Sequence, residues 1–465
     1  MSSGRLPPPA RNHPHPRRLA GVSPCLLLLA MGCSGEDGDP VGPDDPAAPP
    51  PLEASLTLEA DSLRIGEIAQ VLLTLGGGDP RHAASWDCRA APSHLVLVES
   101  TPDGCVLAAL EDGDVELRVM AVQAADSTEA VGSLRIRTPE PRMVGDLMDV
   151  EWPVASMAWI EGSEGVRVLV SQGRLDPQLA VVDVSDPTSP RTLSRLMLHE
   201  RPRYIHVRGI LAAALVGTRG LLLVDLSEPL EPEILHWAPE FFPPDTRLNR
   251  ALILGDDLFV TSQARGLHRV DLRDPGAPTL RSSLRIEPSQ TRKTSDLVVM
   301  DGRLLVGVRG VGVAILEVDP GGEERDEPVH VATVPASGVV RVALDGSTAW
   351  VASFSPHEGA PVTLSGWDLA NPMAPVERSV MDLGVPESSG MVSAPGRLYL
   401  SGWTGGLLAM DTSDPDAPRL LGSLSEGNIS GPPLPAFPYL VTSFSQGVNV
   451  VDLGPWVPRP RLPGS

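Results

Sequence analysis

One short strand recurs seven times in this chain, and that repetition limits the fold more than any other feature. The copies are Leu179-Ala180-Val181-Val182-Asp183, Leu221-Leu222-Leu223-Val224-Asp225, Leu267-His268-Arg269-Val270-Asp271, Val313-Ala314-Ile315-Leu316-Glu317, Leu364-Ser365-Gly366-Trp367-Asp368, Leu407-Leu408-Ala409-Met410-Asp411 and Val448-Asn449-Val450-Val451-Asp452. Their acidic ends are 42, 46, 46, 51, 43 and 41 residues apart. A period in the forties with room for about four short strands is the size of one β-propeller blade. Gly209, Gly302, Gly346 and Gly396 mark hairpin turns before the motif strand, where a tight turn needs positive φ. The order within a copy is therefore inner strand, Gly turn, second strand, loop, motif strand, Pro turn, outer strand.

The turn after the acid carries Pro at a fixed offset (Pro187, Pro229, Pro275, Pro372, Pro415), then Pro again three residues on (Pro190, Pro232, Pro278, Pro375, Pro418). Pro there stops ladder growth, as suits a sheet edge. Asp183-Val184-Ser185-Asp186-Pro187-Thr188-Ser189-Pro190 and Asp411-Thr412-Ser413-Asp414-Pro415-Asp416-Ala417-Pro418 resemble the LVIVD-repeat family, and the resemblance implies a β-propeller. The repeated acid reads as structural, its carboxylate accepting backbone N–H groups in an Asx-type turn. It does not read as a metal ring.

The last copy has no outer strand after it. Pro141-Arg142-Met143-Val144-Gly145-Asp146-Leu147 is similar to the outer strand Pro418-Arg419-Leu420-Leu421-Gly422-Ser423-Leu424. Residues 142–148 are thus expected to complete the seventh blade and hide an edge. Two insertions, Trp237–Asn249 and Ser353–Pro361, fall on one face of such a ring. With Trp403 and Phe444 from the other loops, they make Trp237, Phe241, Phe242, Phe354 and His357 a candidate binding face. The alternative is that these rings only pack beneath long loops.

The N-terminus reads as an export signal. Arg17 and Arg18 precede an apolar run too short to span a bilayer. Ala30-Met31-Gly32-Cys33 resembles a bacterial lipobox, which implies acylation of Cys33 and removal of residues 1–32. Residues 33–51 are acidic and Pro-rich and suit a solvated tether. Cys88 and Cys105 remain as an even pair. They form either a disulfide, as an oxidising compartment allows, or two buried thiols.

Residues 52–140 hold about seven short apolar runs divided by turn clusters such as Gly76-Gly77-Gly78-Asp79-Pro80, the pattern of a β-sandwich. Gly113-Asp114-Val115-Glu116-Leu117-Arg118-Val119 resembles the late strands of bacterial Ig-like domains, which implies a spacer. Gly and Pro total 94 residues, which fits short strands and many turns. The formal charge is −22, and loss of the four arginines of residues 1–32 makes it more negative. A polyanion of that size is repelled by nucleic acid. No Gly-x-Ser-x-Gly elbow or P-loop occurs, and no residue spacing points to a metal or another cofactor.

The expected fold is all-β, a seven-bladed β-propeller (residues 141–455) preceded by a small Ig-like β-sandwich (52–140) and followed by a Pro-rich tail (456–465). The expected function is a cell-envelope binding scaffold for a protein or glycan, anchored to membrane by its N-terminal lipid at the outer membrane or cell surface, and not an enzyme. The alternative is an extracytoplasmic propeller enzyme of hydrolase or lactonase type. The two differ in whether acids and His or aromatics line the channel mouth.

Overall fold

The computed structural model describes residues 50–458 except 59–61, 65–67, 78–83, 88–94, 102–103, 110–112, 124–125, 149–153, 162–164, 174, 264–265, 287–293, 319–326, 355–360, 387, 403–405, 426–428, 430 and 445–446. Cys33, Cys88, His357 and Trp403 lie outside the described residues. The described chain is all-β, with nine four-stranded sheets and one short 3-10 helix, Gly454–Trp456. None of its helices is long and apolar enough to cross a membrane.

The first two sheets come from residues 53–136 and share one core. Val71, Leu73, Cys105 and Leu107 of one face Val115, Leu117, Leu134 and Ile136 of the other. In Gly113–Gln123 every second residue from Val115 is buried, which is the alternation of a strand wet on one side.

The other seven sheets are antiparallel and follow the chain strand by strand, except at the closing position. Their middle strands are buried along their length and mostly apolar, as in Leu211–Val216 and Gly220–Asp225, because both faces are covered by neighbouring sheets. Each sheet shares a core with the next: Val181 with Ile205, Leu223 with Val260, Leu252 with Leu304. The series continues through Ile315 with Val351, Leu364 with Leu400, and Tyr399 with Leu440. The seventh returns to the first through Val450 and Val170. The arrangement is propeller-like.

The closing sheet joins both ends of the region. Arg142–Leu147 pairs antiparallel with Gly447–Asp452, as expected from its likeness to residues 418–424. It reproduces a detail found in all seven sheets, a register shift just before the repeat acid, at Val181/Val182 in the first and Val450/Val451 in the last. Gly145 is required here because a Cβ would lie 2.1 Å from the Pro187 carbonyl oxygen of the next sheet's turn.

The tail boundary expected at 456 needs correcting. Trp456 and Val457 are buried in the core between the sixth and seventh sheets, and the Tyr399 hydroxyl donates to the Trp456 carbonyl at 2.5 Å. Trp456 seats on Gly422, where a Cβ would lie 2.6 Å from its ring.

Candidate functional site: the mouth of the axial channel

The repeat acids behave as the sequence implies. Six of the seven accept the backbone N–H two residues on: Ser185 onto Asp183, Ser227 onto Asp225, Arg273 onto Asp271, Ala370 onto Asp368, Ser413 onto Asp411 and Gly454 onto Asp452, at 2.8–3.1 Å. Several also hold an arginine, as Asp271 holds Arg281 and Asp411 holds Arg397. Burial pushes the Asp411 carboxyl up, but hydrogen bonds from Ser413 and Arg419 outweigh it and hold the group at about 2. These acids are spent on turns at the rim.

Of the expected aromatic face, Phe242 and Phe354 are core. Phe242 is 1 % exposed and packs between the second and third sheets, with Phe241 edge-on to it at 5.0 Å. Trp237 belongs to the outer strand Glu233–Ala238 rather than to a loop, packs against the core between the first two of the seven repeat sheets, and lies 6.3 Å from the His199 ring. Phe354 is 7 % exposed, in the core between the fifth and sixth sheets. These four rings anchor the face from below. Phe444 ends the strand Tyr439–Phe444. Cys105 is buried, opposite Val71 and Ser100 in its sheet.

What the face holds instead is a polar cluster. The first strands of the seven sheets abut in succession, the seventh against the sixth and the first, and so surround an axial channel. Near the end where these strands begin, Tyr204, Arg250, Asp296 and Arg341 occupy the third position of Pro202–Arg208, Leu248–Leu254, Thr294–Met300 and Val339–Asp345. The 239–247 connection opens at the same end.

Three of the four follow a β-bulge. The register shifts between Pro202 and Tyr204, between Leu248 and Arg250, and between Thr294 and Asp296. A bulge re-aims the next side chain and interrupts the ladder. The Arg250 N–H, displaced from the ladder, donates to the Thr261 hydroxyl at 3.1 Å. The bulged residues turn to the following sheet: Asn249 donates to the Thr294 carbonyl at 2.7 Å, and the Ser295 hydroxyl donates to the Val340 carbonyl at 2.8 Å.

The Arg250 guanidinium lies 4.9 Å from the Tyr204 ring centre and 3.5 Å from an Asp296 carboxylate oxygen. Asp296 also accepts the Val342 N–H at 2.9 Å. Arg341 donates from Nε to the Ser389 carbonyl at 3.3 Å and from Nη1 to the Ser295 carbonyl at 3.2 Å, linking three sheets. Burial, with repulsion from Arg250, lowers the Arg341 guanidinium to about 10, so it stays charged at neutral pH. Burial raises the Tyr204 phenol, which stays neutral. One turn deeper, burial lowers His206 to about 4, and its neutral Nδ1 accepts the Ile253 N–H at 3.2 Å.

Sequence reasoning passed over this cluster, although a signal was available. Tyr204, Arg250 and Asp296 each stand 21 residues before their repeat's acid (Asp225, Asp271 and Glu317). Among the described residues, no group of three or more His, Cys, Asp or Glu comes together as metal ligands.

Comparisons with known proteins bear on the scaffold. The LVIVD repeat model matches residues 175–197, which hold the strand Gln178–Asp183, its Pro turn and the outer strand Arg191–Met197. No curated protein matches the chain. Among solved structures, one similar chain is a protein of unknown function from Bacteroides thetaiotaomicron, at 10 % identity and TM-score 0.46, over 88 % of this chain and 99 % of that one. BamB from Moraxella catarrhalis is similar at 10 % identity and TM-score 0.44, over 67 % and 97 %. A chain of the mitotic checkpoint complex is similar at 13 % identity and TM-score 0.49, over 68 % and 90 %.

Proposed function

We propose that this chain is an exported, lipid-anchored binding protein whose recognition surface is the mouth of the axial channel. Residues 1–32 are removed, and lipid on Cys33 holds the protein at the outer membrane or cell surface. Residues 34–51 and an Ig-like sandwich (52–140) hold a seven-bladed β-propeller (141–455) away from the bilayer, where it takes a protein or glycan. The residues at 30–33 support the anchor, the shared core of the first two sheets supports the sandwich, and the seven successive shared cores support the blade count.

The observation that carries the binding role is broken symmetry at the mouth. A purely architectural position would hold equivalent residues in each copy, as the repeat acids do. The mouth instead holds Tyr204, Arg250, Asp296 and Arg341 at one level, three of them aimed by bulges. Asp245 and Arg247, in the adjoining connection, have φ of 64° and 49°. Such strain in non-Gly residues collects at ligand-contacting loops.

The test is co-purification from native membranes with the intact protein and with an Arg250→Ala variant of matching melting temperature. A partner held by the first and lost by the second is expected. The same partner with both, or none with either, would overturn the mouth as the binding surface. A Cys33→Ser variant is expected to leave the membrane fraction; retention there would remove the lipid anchor from the proposal.

A further inference from the structure

Resting on the reading of the mouth as a binding surface, we propose that it recognises one carboxylate group, gripped by Arg250 and Arg341. The cluster has two guanidinium groups and one carboxylate, Asp296, so a single negative charge neutralises it. A dianion would leave excess negative charge beside Asp296, in a chain of formal charge −22.

Each guanidinium spends its Nε and Nη1 N–H groups on the protein and leaves its Nη2 group over. Arg341 is fixed through Nε and Nη1 to the Ser389, Ser295 and Val340 carbonyls, with its guanidinium 6.0 Å from the Phe354 ring centre. Arg250 is fixed by the Tyr204 ring, by Nε toward Asp296 and by Nη1 at 3.4 Å from the Asn249 carbonyl. Among the described residues, no hydrogen bond to protein uses the Nη2 group of either. One Nη2 group from each arginine can donate to one of the two oxygens of a carboxylate. Because both guanidinium groups are already held, little side-chain entropy is lost when a ligand docks.

Arg250 lies close enough to raise the energy of the Arg341 charge, and Asp296 offsets only part of this. Asp296 is itself engaged by the Leu297 and Val342 N–H groups. Its charge is therefore shared with the backbone, and the arginines keep a net attraction for an anion. A carboxylate entering between them would relieve their repulsion, and partial exclusion of water at this depth strengthens the attraction. The Tyr204 phenol, neutral at working pH, adds no competing charge.

The probe is sodium acetate against the full chain in detergent, read by saturation-transfer NMR of the acetate methyl protons. The melting temperature is followed in parallel, with chloride and inorganic phosphate as controls at equal ionic strength. Acetate is expected to bind and to raise the melting temperature by mass action. Arg250→Gln should weaken acetate by about tenfold or more, the worth of one charge-assisted hydrogen bond. Arg341→Lys, which keeps the charge and loses the held Nη2 donor, should retain only part of the binding. If that variant does not fold, Arg250→Gln decides alone, since its contacts to neighbouring sheets are few.

Equal transfer to the parent and to Arg250→Gln, no transfer to either, or displacement of acetate by equimolar phosphate would overturn the carboxylate assignment. If acetate fails while Arg250→Ala still loses its membrane partner, the carboxylate falls and the binding surface stands. If acetate binds while that partner is retained, the carboxylate site stands and the binding role of the mouth falls.

Discussion

The rim and the mouth of this protein use the same residue types, Asp and Arg, to opposite ends. At the rim, Asp183, Asp271, Asp368 and Asp411 each pair with an arginine and close the same turn. At the mouth, Arg250, Asp296 and Arg341 occur once each, and the two arginines leave Nη2 donors unspent. On the proposed reading of the mouth as a binding surface, the difference separates architecture from function. A load carried equally by every repeat must be met the same way in every repeat, so rim chemistry recurs with the period. A ligand binds at one place, so the residues that meet it break the period.

The largest expected effect lies at the rim. Arg397 and Asp411 form a pair in which both side chains are 4 % exposed. Asp411→Ala would leave a buried arginine without its partner and should cost about 3–5 kcal/mol, read as a lower midpoint in denaturant unfolding. A cost no greater than that of an exposed pair would show that the rim is not structural, and the contrast would fail.

Acid should act on the two regions in separate windows. His206 is held at about 4, below its ordinary 6.5, so the unfolded chain takes the proton first. Stability is full above pH 6.5 and falls as pH drops toward 4, by about 2–3 kcal/mol at this site. The Asp411 carboxylate at the rim is depressed instead. Asp411 contributes fully above pH 3.8 and loses that contribution as pH falls toward 2. Melting temperatures across pH 7 to 2 should show two steps, with His206→Gln removing the upper and Asp411→Asn the lower. A single step, or loss of both in either variant, would merge the regions.

A smaller effect is expected where the ring closes. Gly145→Ala puts a methyl against the Pro187 carbonyl oxygen and should cost about 1–3 kcal/mol, as overpacking does. Gly209→Ala has open space around its Cβ but a φ of 57°, and should cost about 1 kcal/mol from backbone strain alone. Equal costs would mean that closure depends on conformation and not on fit.

The smallest stability effect belongs to the mouth. Arg250→Gln removes only long, weak contacts, 3.5 Å to Asp296 and 3.4 Å to the Asn249 carbonyl, and should change stability by about 0.5–1 kcal/mol, while abolishing partner capture. A large loss of stability without loss of the partner would make Arg250 another rim-type residue.

Much of the scaffold was legible in the residue pattern. The seven motif strands, the Gly hairpins, the turn role of the acids and the return of residues 142–148 to the last sheet all follow from local chemistry repeated at one period. Backbone needs are local, so the residues that meet them sit at fixed spacing. Phe242 and Phe354 show where that reasoning stops. An aromatic on a long connection reads the same whether it faces solvent or a core, and only the packing of two neighbouring sheets decided that these rings point inward. Trp456, read as tail, was likewise placed by the absence of a side chain at Gly422, a residue far from it in sequence. The mouth is the clearest case. Repetition by itself determined that seven equivalent strands exist. Only the tertiary structure decided that Tyr204, Arg250, Asp296 and Arg341 meet, because ring closure brings one position from each of four distant copies to a common axis, and bulges turn three of them toward it.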